Sequence, residues 1–418
     1  MLIGSGSPEA KLSTQAVYQY CAEAFSQINL AGKKVLAVIP DQTRTAPIDL
    51  LFRTVYQLLN EQVAQLDFMI ALGTHPPMAQ AAIYERVGLT VTEHRQKFSR
   101  VRFFNHDWHN PQELAEIGTI SDSEMAHLSQ GLLNEKVTIT LNKKALEYDL
   151  LLLIGPTYPH EVVGFSGGNK YLFPGIAGQA IIDVFHWLGA LITNRAIIGK
   201  KETAVRQVID RAAAMVPVAR LGINLVVKGP DLMGLYIGEP ETAWRAAADL
   251  SARVHVVYTE RTYPTVLSCA PAMYTDLWTG GKCMYKLEPV VADGGELIIF
   301  APHIREVSVT HGTMLTQIGY HVRDYFLRQW DKFSHFPGGV LAHSTHVKGA
   351  GSFANGIEYP RIRVTLATGI PRETCQQINL GYRDPQSITI EEWRRRPDTL
   401  VVAKAGEILY KPSFEIDQ

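Results

Sequence analysis

Short apolar runs alternate with stretches of helical periodicity along the first half of the chain. A helical spacing of apolar residues covers 47–65, with Pro47 in its first turn. A second helix is predicted at 240–254. Continuous apolar runs are typical of strands buried in a parallel sheet. They occur at 33–39 (KKVLAVI), 66–72 (LDFMIAL) and 149–155 (DLLLLIG). The segment 224–239 (NLVVKGPDLMGLYIGE) predicts two strands joined by a glycine turn.

A second α/β series begins near residue 263. Its apolar runs predict strands at 264–270, 294–302 and 361–369, and its helical patterns predict helices at 275–293 and 319–333. Alternating strands and helices predict an α/β protein with mostly parallel sheets. We expect two α/β domains, residues 1–265 and 266–418.

Composition narrows the classes of protein that this chain can belong to. Its 418 residues are enough for two domains, and 40 basic against 41 acidic residues give a net charge of −1. No basic footprint for nucleic acid or an anionic membrane is visible, and no apolar run approaches the ~20 residues that span a bilayer. The N-terminal residues do not resemble a signal peptide, and four scattered cysteines give neither a disulfide framework nor a zinc motif. We expect a cytoplasmic protein.

Polar residues follow three of the predicted strands directly. In open parallel sheets, ligands bind beyond the carboxyl ends of the strands, where such loops meet at one edge. The three loops carry Asp41, Thr43 and Arg44, then Thr74 and His75, and then His160 and Lys170.

The third loop contains a glycine-rich segment, GFSGGNK (164–170), of the length of a phosphate-binding loop. Asn169 replaces the last glycine of that motif, and Tyr171 occupies the position of its magnesium-binding hydroxyl. Pro174 makes a long helix starting at this loop unfavourable. Lys170 therefore needs a role other than that of the usual phosphate-loop lysine.

These residue types indicate several chemistries. The glycines offer backbone donors to an anion, and Arg44 can pair with a phosphate or carboxylate. His75 and His160 can act as general bases on opposite faces of one substrate, and Lys170 can be a nucleophile or covalent anchor. His186, in an apolar helical segment, needs a partner, and a metal is one possibility.

Each residue also has an ordinary structural interpretation. His186 taken alone is more often a core histidine, the glycines can simply form a tight turn, and Lys170 can be a plain anion contact. The DxTR segment can merely cap a helix. The HDWH (106–109) and HSTH (343–346) segments lack the spacing of a known zinc site and are interpreted as structural. The joint occurrence of the three loops favours a functional site.

Taken together, the motifs resemble the lactate racemase family, the nickel-pincer-nucleotide 2-hydroxyacid racemases and epimerases. The resemblance covers most of the chain. It rests on His186 and on the segments DQTR (41–44), GTH (73–75), PHEVVGFSGGNKYLFPG (159–175), TDLWTGGK (275–282) and GGELIIFAP (294–302).

The resemblance implies a cofactor and its ligands. The cofactor is the nickel-pincer nucleotide, a pyridinium-3-thioamide-5-thiocarboxylate mononucleotide that holds Ni(II) and is covalently attached to Lys170. His186 is implied as the protein ligand of nickel. The soft sulfur donors of the cofactor suit square-planar Ni(II). Residues implied in holding the nucleotide are Asp41, Thr43, Arg44, Ser166, Gly167 and Gly168. The N-terminal domain would bind the cofactor and carry out catalysis. The C-terminal domain would close over the substrate, with the active site in the cleft between them.

The resemblance also implies a mechanism. His75 and His160 serve as the two bases, one for each enantiomer, while hydride passes to the cofactor and a 2-keto acid forms. Lys282, Thr279 and Arg44 are the implied substrate-binding residues. Thr279 replaces a glutamine of the lactate enzymes, and neither Trp330 nor Trp393 clearly matches a tryptophan expected near the cofactor. The substrate therefore stays open among lactate, larger aliphatic or aromatic hydroxyacids and sugar acids.

Two other functions remain as alternatives. One is a nickel-free phosphate- or nucleotide-binding hydrolase or lyase that uses Lys170 as a nucleophile. The other is a non-catalytic carrier of the cofactor. The expected partners are a small 2-hydroxy acid and the proteins that make the cofactor. The sequence does not determine the oligomeric state.

Overall fold

A computed structural model describes residues 1–415 of the protein. The strands are β1 Leu2–Gly6, β2 Lys34–Pro40, β3 Gln65–Ala71, β4 Phe103–Asn105, β5 Leu114–Ile120, β6 Val137–Asn142, β7 Leu150–Pro156, β8 Pro159–His160, β9 Gly164–Phe165, β10 Ala219–Lys228, β11 Asp231–Gly238, β12 Val256–Thr259, β13 Tyr263–Cys269, β14 Val291–Ala301, β15 Gly351–Ala354, β16 Ile357–Pro360, β17 Arg363–Thr368, β18 Gly381–Tyr382, β19 Thr399–Val402 and β20 Leu409–Pro412. The helices are α1 Thr14–Ser26, α2 Ile48–Leu59, α3 Gln80–Arg86, α4 Val91–Lys97, α5 Asp122–Leu128, α6 Gln179–Ile192, α7 Asn194–Ile197, α8 Ala204–Ala213, α9 Pro240–His255, α10 Leu277–Gly280, α11 Lys282–Tyr285, α12 Gly312–Ile318, α13 Arg323–Leu327, α14 Trp330–Phe333, α15 Gly338–Lys348, α16 Arg372–Gln377 and α17 Ile390–Arg394.

Two compact units share the chain, with interleaved segments. The first unit consists of Met1–Tyr158, Phe165–Ile182 and Arg206–Val254. The second unit consists of Pro159–Gly164, Asp183–Val205 and residues 255–415. The predicted domains, 1–265 and 266–418, place the segments 159–164, 183–205 and 255–265 in the first domain, whereas the structure groups them with the second unit.

The first unit is built on a seven-stranded sheet in the order β1-β11-β10-β7-β2-β3-β4. The four pairings from β10 to β4 are parallel, which confirms the predicted parallel sheet, and β1 and β11 add two antiparallel pairings. Strand β7 is buried at every position, as its continuous apolar run predicts. Helix α2 packs an apolar stripe into the core, and it ends at Leu59 because Asn60 begins a turn, short of the predicted end at 65.

The second unit contains a five-stranded parallel sheet in the order β18-β17-β14-β13-β19. The predicted strands at 264–270, 294–302 and 361–369 correspond to β13, β14 and β17 and are confirmed.

Both long helices predicted for this unit are only partly confirmed, because the structure forms shorter helices within the predicted segments. The segment 275–293 folds into α10, α11 and a short 3₁₀ turn, and β14 already begins at Val291. Gly281 joins α10 to α11 with helical backbone angles (φ −53°, ψ −26°), and a Cβ there would lie 2.8 Å from Cγ2 of Val347. The segment 319–333 divides into α13 and α14, because Gly319 (φ 71°) and the extended Val322 lie outside the helical region and Gln329 separates the two helices.

Within residues 1–415, no helix combines the length and apolarity that crossing a membrane requires. The cysteines Cys21, Cys269, Cys283 and Cys375 are free and buried. Burial raises the pKa of each of these thiols, to between about 11 and about 12.

Candidate active site

Three loops leave the sheet of the first unit at the same edge. Pro40 of β2 is paired with Ala71 of β3, and Val38 of β2 is paired with Leu153 of β7. Because these strands are parallel neighbours, their carboxyl ends meet, and the loops that follow them start side by side. The structure thus confirms the parallel arrangement on which the predicted site depends.

Asp41 and His75 form a hydrogen-bonded pair at this edge. Oδ2 of Asp41 lies 2.5 Å from Nδ1 of His75, and the aspartate is only 4% exposed. Its other oxygen, Oδ1, accepts hydrogen bonds from the backbone N–H (3.0 Å) and the hydroxyl (2.7 Å) of Thr43. The sequence analysis assigned Asp41 and Thr43 to nucleotide binding. In the structure, the two oxygens of Asp41 are engaged by Thr43 and His75.

The environment of Asp41 keeps its carboxylate ionised. Burial alone would raise the pKa of Asp41. The charge and hydrogen bond of His75, the bond from Thr43 and the charge of Arg44 outweigh burial and hold this pKa well below its usual range. An ionised carboxylate can only accept, so Nδ1 of His75 carries the proton and, in the neutral ring, Nε2 carries the lone pair. The pair therefore sets the tautomer that a general base at Nε2 requires.

Arg86, which the sequence analysis did not single out, fixes the backbone of the Asp41 loop. Its Nη2 donates to the carbonyl of Arg44 (2.9 Å), and its Nε donates to the carbonyl of Pro40 (3.3 Å). Burial lowers the pKa of Arg86, and the negative charge of Asp41 opposes this effect. Nothing in the local sequence of α3 distinguishes this arginine from a solvated one. Only the fold shows its role.

The turn that carries Lys170 is joined to the same edge. Gly168–Tyr171 form a 3₁₀ turn, and the next helix, α6, begins only at Gln179, which confirms that no long helix starts at the glycine loop. The N–H of Gly73, in the loop of His75, donates to the carbonyl of Gly175 at 3.0 Å. Lys170 itself is half-buried.

Tyr171, next to Lys170, explains a glycine in the sheet. A Cβ on Gly155 would lie 1.9 Å from the phenol oxygen of Tyr171, so β7 needs a glycine there for the ring to pack. Burial raises the pKa of Tyr171, while the nearby positive charges of Arg44 and Arg86 lower it. Both arginines therefore lie in the electrostatic environment of the lysine turn.

Two glycines of the loop are required by geometry. Gly167 (φ 90°) and Gly168 (φ 60°) adopt the left-handed conformation. A Cβ on Gly167 would lie 2.5 Å from Oγ1 of Thr157, and one on Gly168 would lie 2.9 Å from Cβ of Trp244. The N–H of Gly168 donates to Oδ1 of Asn224 at 2.9 Å. This amide is therefore engaged inside the protein.

Ser166 also has a structural role. Its hydroxyl donates to the carbonyl of Pro156 (3.0 Å) and accepts from the N–H of Tyr158 (2.9 Å). Arg206, stacked 4.0 Å from the ring of Trp244, donates to the carbonyls of Phe165 and Gly167. Ser166 therefore stabilises the turn, and Arg206 holds the backbone of the same loop.

His160, in the second unit, is buried and has two competing partners. Its Nδ1 accepts from the N–H of Val162 at 3.1 Å, and Oε2 of Glu161 lies 3.2 Å from the same nitrogen. The Val162 contact favours a proton on Nε2, whereas the Glu161 contact favours a proton on Nδ1. The second arrangement leaves Nε2 as the basic atom.

His186, also in the second unit, is half-buried on α6, and its ring stacks 4.4 Å from Phe185. One turn further along, a Cβ on Gly189 would lie 2.9 Å from Cγ1 of Val162. Residues three apart share a helix face, so we expect His186 on the side of α6 that packs against the loop of His160. Because Gly189 has no side chain, α6 can pack closely against the loop that contains Val162.

The two implied substrate-binding residues of the second unit are both buried. Nζ of Lys282 lies 4.7 Å from the ring centre of Tyr274. The hydroxyl of Thr279 donates to Oδ1 of Asp276 at 2.8 Å, as part of the cap of α10. The hydroxyl oxygen of Thr279 can therefore still accept a hydrogen bond from a ligand, but the hydroxyl proton is already donated to Asp276.

The structure thus distributes the predicted residues between the two units. Within the first unit, it brings together Asp41, Thr43, Arg44 and His75 and ties their loops to the turn of Lys170. The second unit contains His160, His186, Thr279 and Lys282. The roles of all these residues in binding or catalysis stay predictions. His106, in the HDWH segment, bonds to the carbonyl of Ala177 (2.9 Å) and to Asn142 (3.2 Å), in agreement with a structural role.

Comparison with known proteins gives consistent results. The lactate racemase N-terminal domain matches residues 8–199. The lactate racemase of Thermoanaerobacterium thermosaccharolyticum is 32% identical over 161 residues, which are 37% of this chain and 33% of that enzyme. The lactate racemase of Lactiplantibacillus plantarum is 24% identical over 283 residues, 65% of this chain and 60% of that enzyme.

Solved structures extend the similarity to the whole fold. A protein of Thermotoga maritima superposes with a TM-score of 0.90 at 31% identity, over 98% of this chain and 100% of that one. The lactate racemase apoprotein of T. thermosaccharolyticum superposes with a TM-score of 0.70 at 18% identity, over 96% and 94% of the two chains. The matched sequence and the fold lead to one conclusion: residues 8–199 carry the lactate racemase N-terminal domain, and the chain as a whole is similar to the lactate racemase family.

Proposed function

We propose that this protein is a racemase or epimerase that inverts the C2 configuration of a 2-hydroxy acid, with a nickel-pincer nucleotide as its cofactor. The observation that carries the proposal is the Asp41–His75 pair, a histidine base whose tautomer is set by a buried carboxylate. The lactate racemases among its relatives support the reaction class.

The residues present suit this cofactor. Lys170 lies on a turn with fixed backbone, so its amine can be anchored covalently without disturbing a helix. Arg44 and Arg86 supply positive charge near Tyr171, which suits the phosphate of a nucleotide. His186 supplies a half-buried imidazole, a donor that suits nickel. When bound, the cofactor supplies a reversible acceptor of hydride, which opens a route through a planar 2-keto acid.

His75 provides one of the two bases. Its Nε2 accepts the proton of the substrate hydroxyl, and the ionised Asp41 stabilises the imidazolium that results. When the hydroxyl is restored, the same nitrogen returns the proton. Asp41 is a positioning residue in this scheme, because it acts through His75.

His160 performs the same task for the opposite enantiomer. For its Nε2 to be basic, Nδ1 must donate to Glu161, which lies 3.2 Å away. Glu161 therefore corresponds to Asp41 as the carboxylate that orients a base. The ammonium group of Lys282 would hold the carboxylate of the substrate, and Arg44 could assist it.

Chiral chromatography tests the proposal. Protein confirmed to contain nickel and a covalent mass adduct is incubated with lactate, larger aliphatic and aromatic hydroxyacids, and sugar acids. We expect inversion of at least one class, and we expect His75→Gln and His160→Gln to retain the adduct without turnover. Absence of inversion across the panel would contradict the proposal. In that case, bare chain mass would favour the nickel-free hydrolase or lyase, and retained nickel without turnover would favour a carrier.

A further inference from the structure

The second unit contains a cavity of about 90 Å³ that none of the proposed catalytic residues lines. Its walls come from the end of α6, the start of α7, the loop before β14, the start of α13 and the end of α15. The lining side chains that carry polar groups are Thr193, Asn194, Arg195, Glu288, Arg323, Thr345 and His346. At roughly 10–15 Å³ for each water-sized group, this volume has room for about six to nine such groups.

Asn194, which lines the cavity, contains a buried acceptor. Its Nδ2 donates to the carbonyl of Tyr285 (3.1 Å) and to Oε2 of Glu288 (3.5 Å), and both partners are acceptors. The orientation of the amide is therefore fixed, with Oδ1 on the opposite side. Asn194 is only 5% exposed, and among residues 1–415 no donor reaches this Oδ1.

His346 adds a second buried polar atom. The residue is 4% exposed, and its Nε2 has no hydrogen-bond partner in the described part of the chain. Burial lowers the pKa of His346 to about 3, so the ring is neutral at physiological pH. A neutral ring can donate or accept at Nε2, depending on its tautomer.

Guanidinium groups give the cavity anion-binding donors. Arg195 and Arg323 both line it. Arg323 uses three N–H groups, two on Asp324 and one on the carbonyl of Leu191, which leaves two of its five for a ligand. The opposing carboxylate, Glu288, is itself bonded by the N–H of Ala350 (2.8 Å).

Strained backbone marks the same place. Thr193 has φ 89° and ψ 144°, a conformation that a β-branched residue rarely adopts. Such strain persists where the surrounding structure imposes it, and it clusters at ligand sites. Thr193 follows α6 directly and lines the cavity beside Asn194.

We propose that this cavity binds a small oxyanion that carries a hydroxyl group. The oxyanion would pair with the guanidinium groups, and the hydroxyl would donate to Oδ1 of Asn194. A ligand of five or six non-hydrogen atoms fits the volume, and both hydrogen phosphate and a short hydroxycarboxylate have this chemistry. The proposal does not depend on the racemase activity.

Titration calorimetry on the full chain tests the proposal with two matched pairs of probes. Glycolate is compared with acetate, and inorganic phosphate with sulfate, because in each pair only the first carries a hydroxyl. We expect glycolate, phosphate or both to bind about tenfold or more tightly than the hydroxyl-free partner. The pair that shows this preference identifies which of the two sources the site accepts.

Variants locate the binding. Asn194→Leu should remove the preference for the hydroxylated probe, and Arg195→Gln should weaken binding of every probe. Arg328→Gln, an exposed arginine of the same unit, serves as the matched control and should change neither. His75→Asn separates this site from the proposed catalytic one, because it should leave the binding intact. Equal affinity within each pair, no binding of any probe, or binding that the Asn194 and Arg195 variants leave unchanged would overturn the proposal.

Discussion

Replacing Asp41 by asparagine tests the histidine base most sharply, because Thr43 fixes how the new amide must sit. Both hydrogen bonds from Thr43 go to Oδ1 of Asp41. In Asp41→Asn the amide oxygen takes that place, and the amide nitrogen faces Nδ1 of His75. An N–H donor there requires a lone pair on Nδ1, so the proton moves to Nε2 and the base is lost.

The size of the effect follows from two contributions. A hydrogen bond to a charged group contributes about 1.5–3 kcal/mol, which corresponds to a loss of roughly 10- to 150-fold in rate. The wrong tautomer adds to this, and the same exchange in the triad of a serine protease lowers kcat by about 10⁴. We therefore expect kcat/KM of Asp41→Asn to fall by between about 10² and about 10⁴.

The assay follows inversion from each enantiomer, with the covalent adduct and nickel measured in the same samples. Thr43→Val is the matched control, since it removes one neutral donor but keeps the Asp41–His75 bond, and its loss should be about 2- to 13-fold. An Asp41→Asn enzyme with full cofactor and a rate within about threefold of wild type would refute the assignment of His75 as a base oriented by Asp41.

Four further outcomes are expected. Lys170→Ala should show the bare chain mass by intact-protein mass spectrometry, and a persisting adduct would place the tether elsewhere. His186→Ala should lose nickel, measured by elemental analysis, while keeping the covalent adduct; normal nickel content would remove it as the ligand. Gly189→Ala forces a methyl group to within 2.9 Å of Val162, so we expect the free energy of unfolding, measured by urea denaturation, to fall by about 1–3 kcal/mol and nickel retention to be reduced, whereas unchanged values would show that α6 adjusts freely. Because the folded-state pKa of Asp41 is depressed, the stability that it contributes is present above the unfolded pKa of about 4 and is lost as pH falls below it. The difference in free energy of unfolding between wild type and Asp41→Asn should therefore shrink below about pH 4, and a constant difference would contradict a depressed pKa.

Strands of the central sheets could be predicted from the sequence because burial on both faces requires continuous apolar runs. The runs at 33–39, 66–72 and 149–155 became β2, β3 and β7 with shifts of one residue. Because parallel strands end at the same edge of a sheet, the strand predictions alone were enough to place the polar loops together at that edge.

Details of the loops could not be predicted in this way. The bond between Asp41 and His75 joins residues 34 positions apart and depends on two loop conformations and on Arg86, which lies in a separate helix. Helical periodicity at 275–293 predicted too long a helix, because α11 ends at Tyr285 and the chain from Val291 onward pairs with β13 and β17, contacts that no local pattern records. The segments 159–164 and 183–205 join the second unit through packing that composition does not reveal.

The central claim is tested most directly by incubating nickel-loaded protein with single enantiomers of 2-hydroxy acids in D₂O and analysing the products by chiral chromatography with mass detection. The account predicts that the opposite C2 configuration appears and that its carbon-bound hydrogen remains protium, because hydride is returned to the same carbon. No inversion with verified cofactor, or inverted product that carries deuterium at C2, would contradict it.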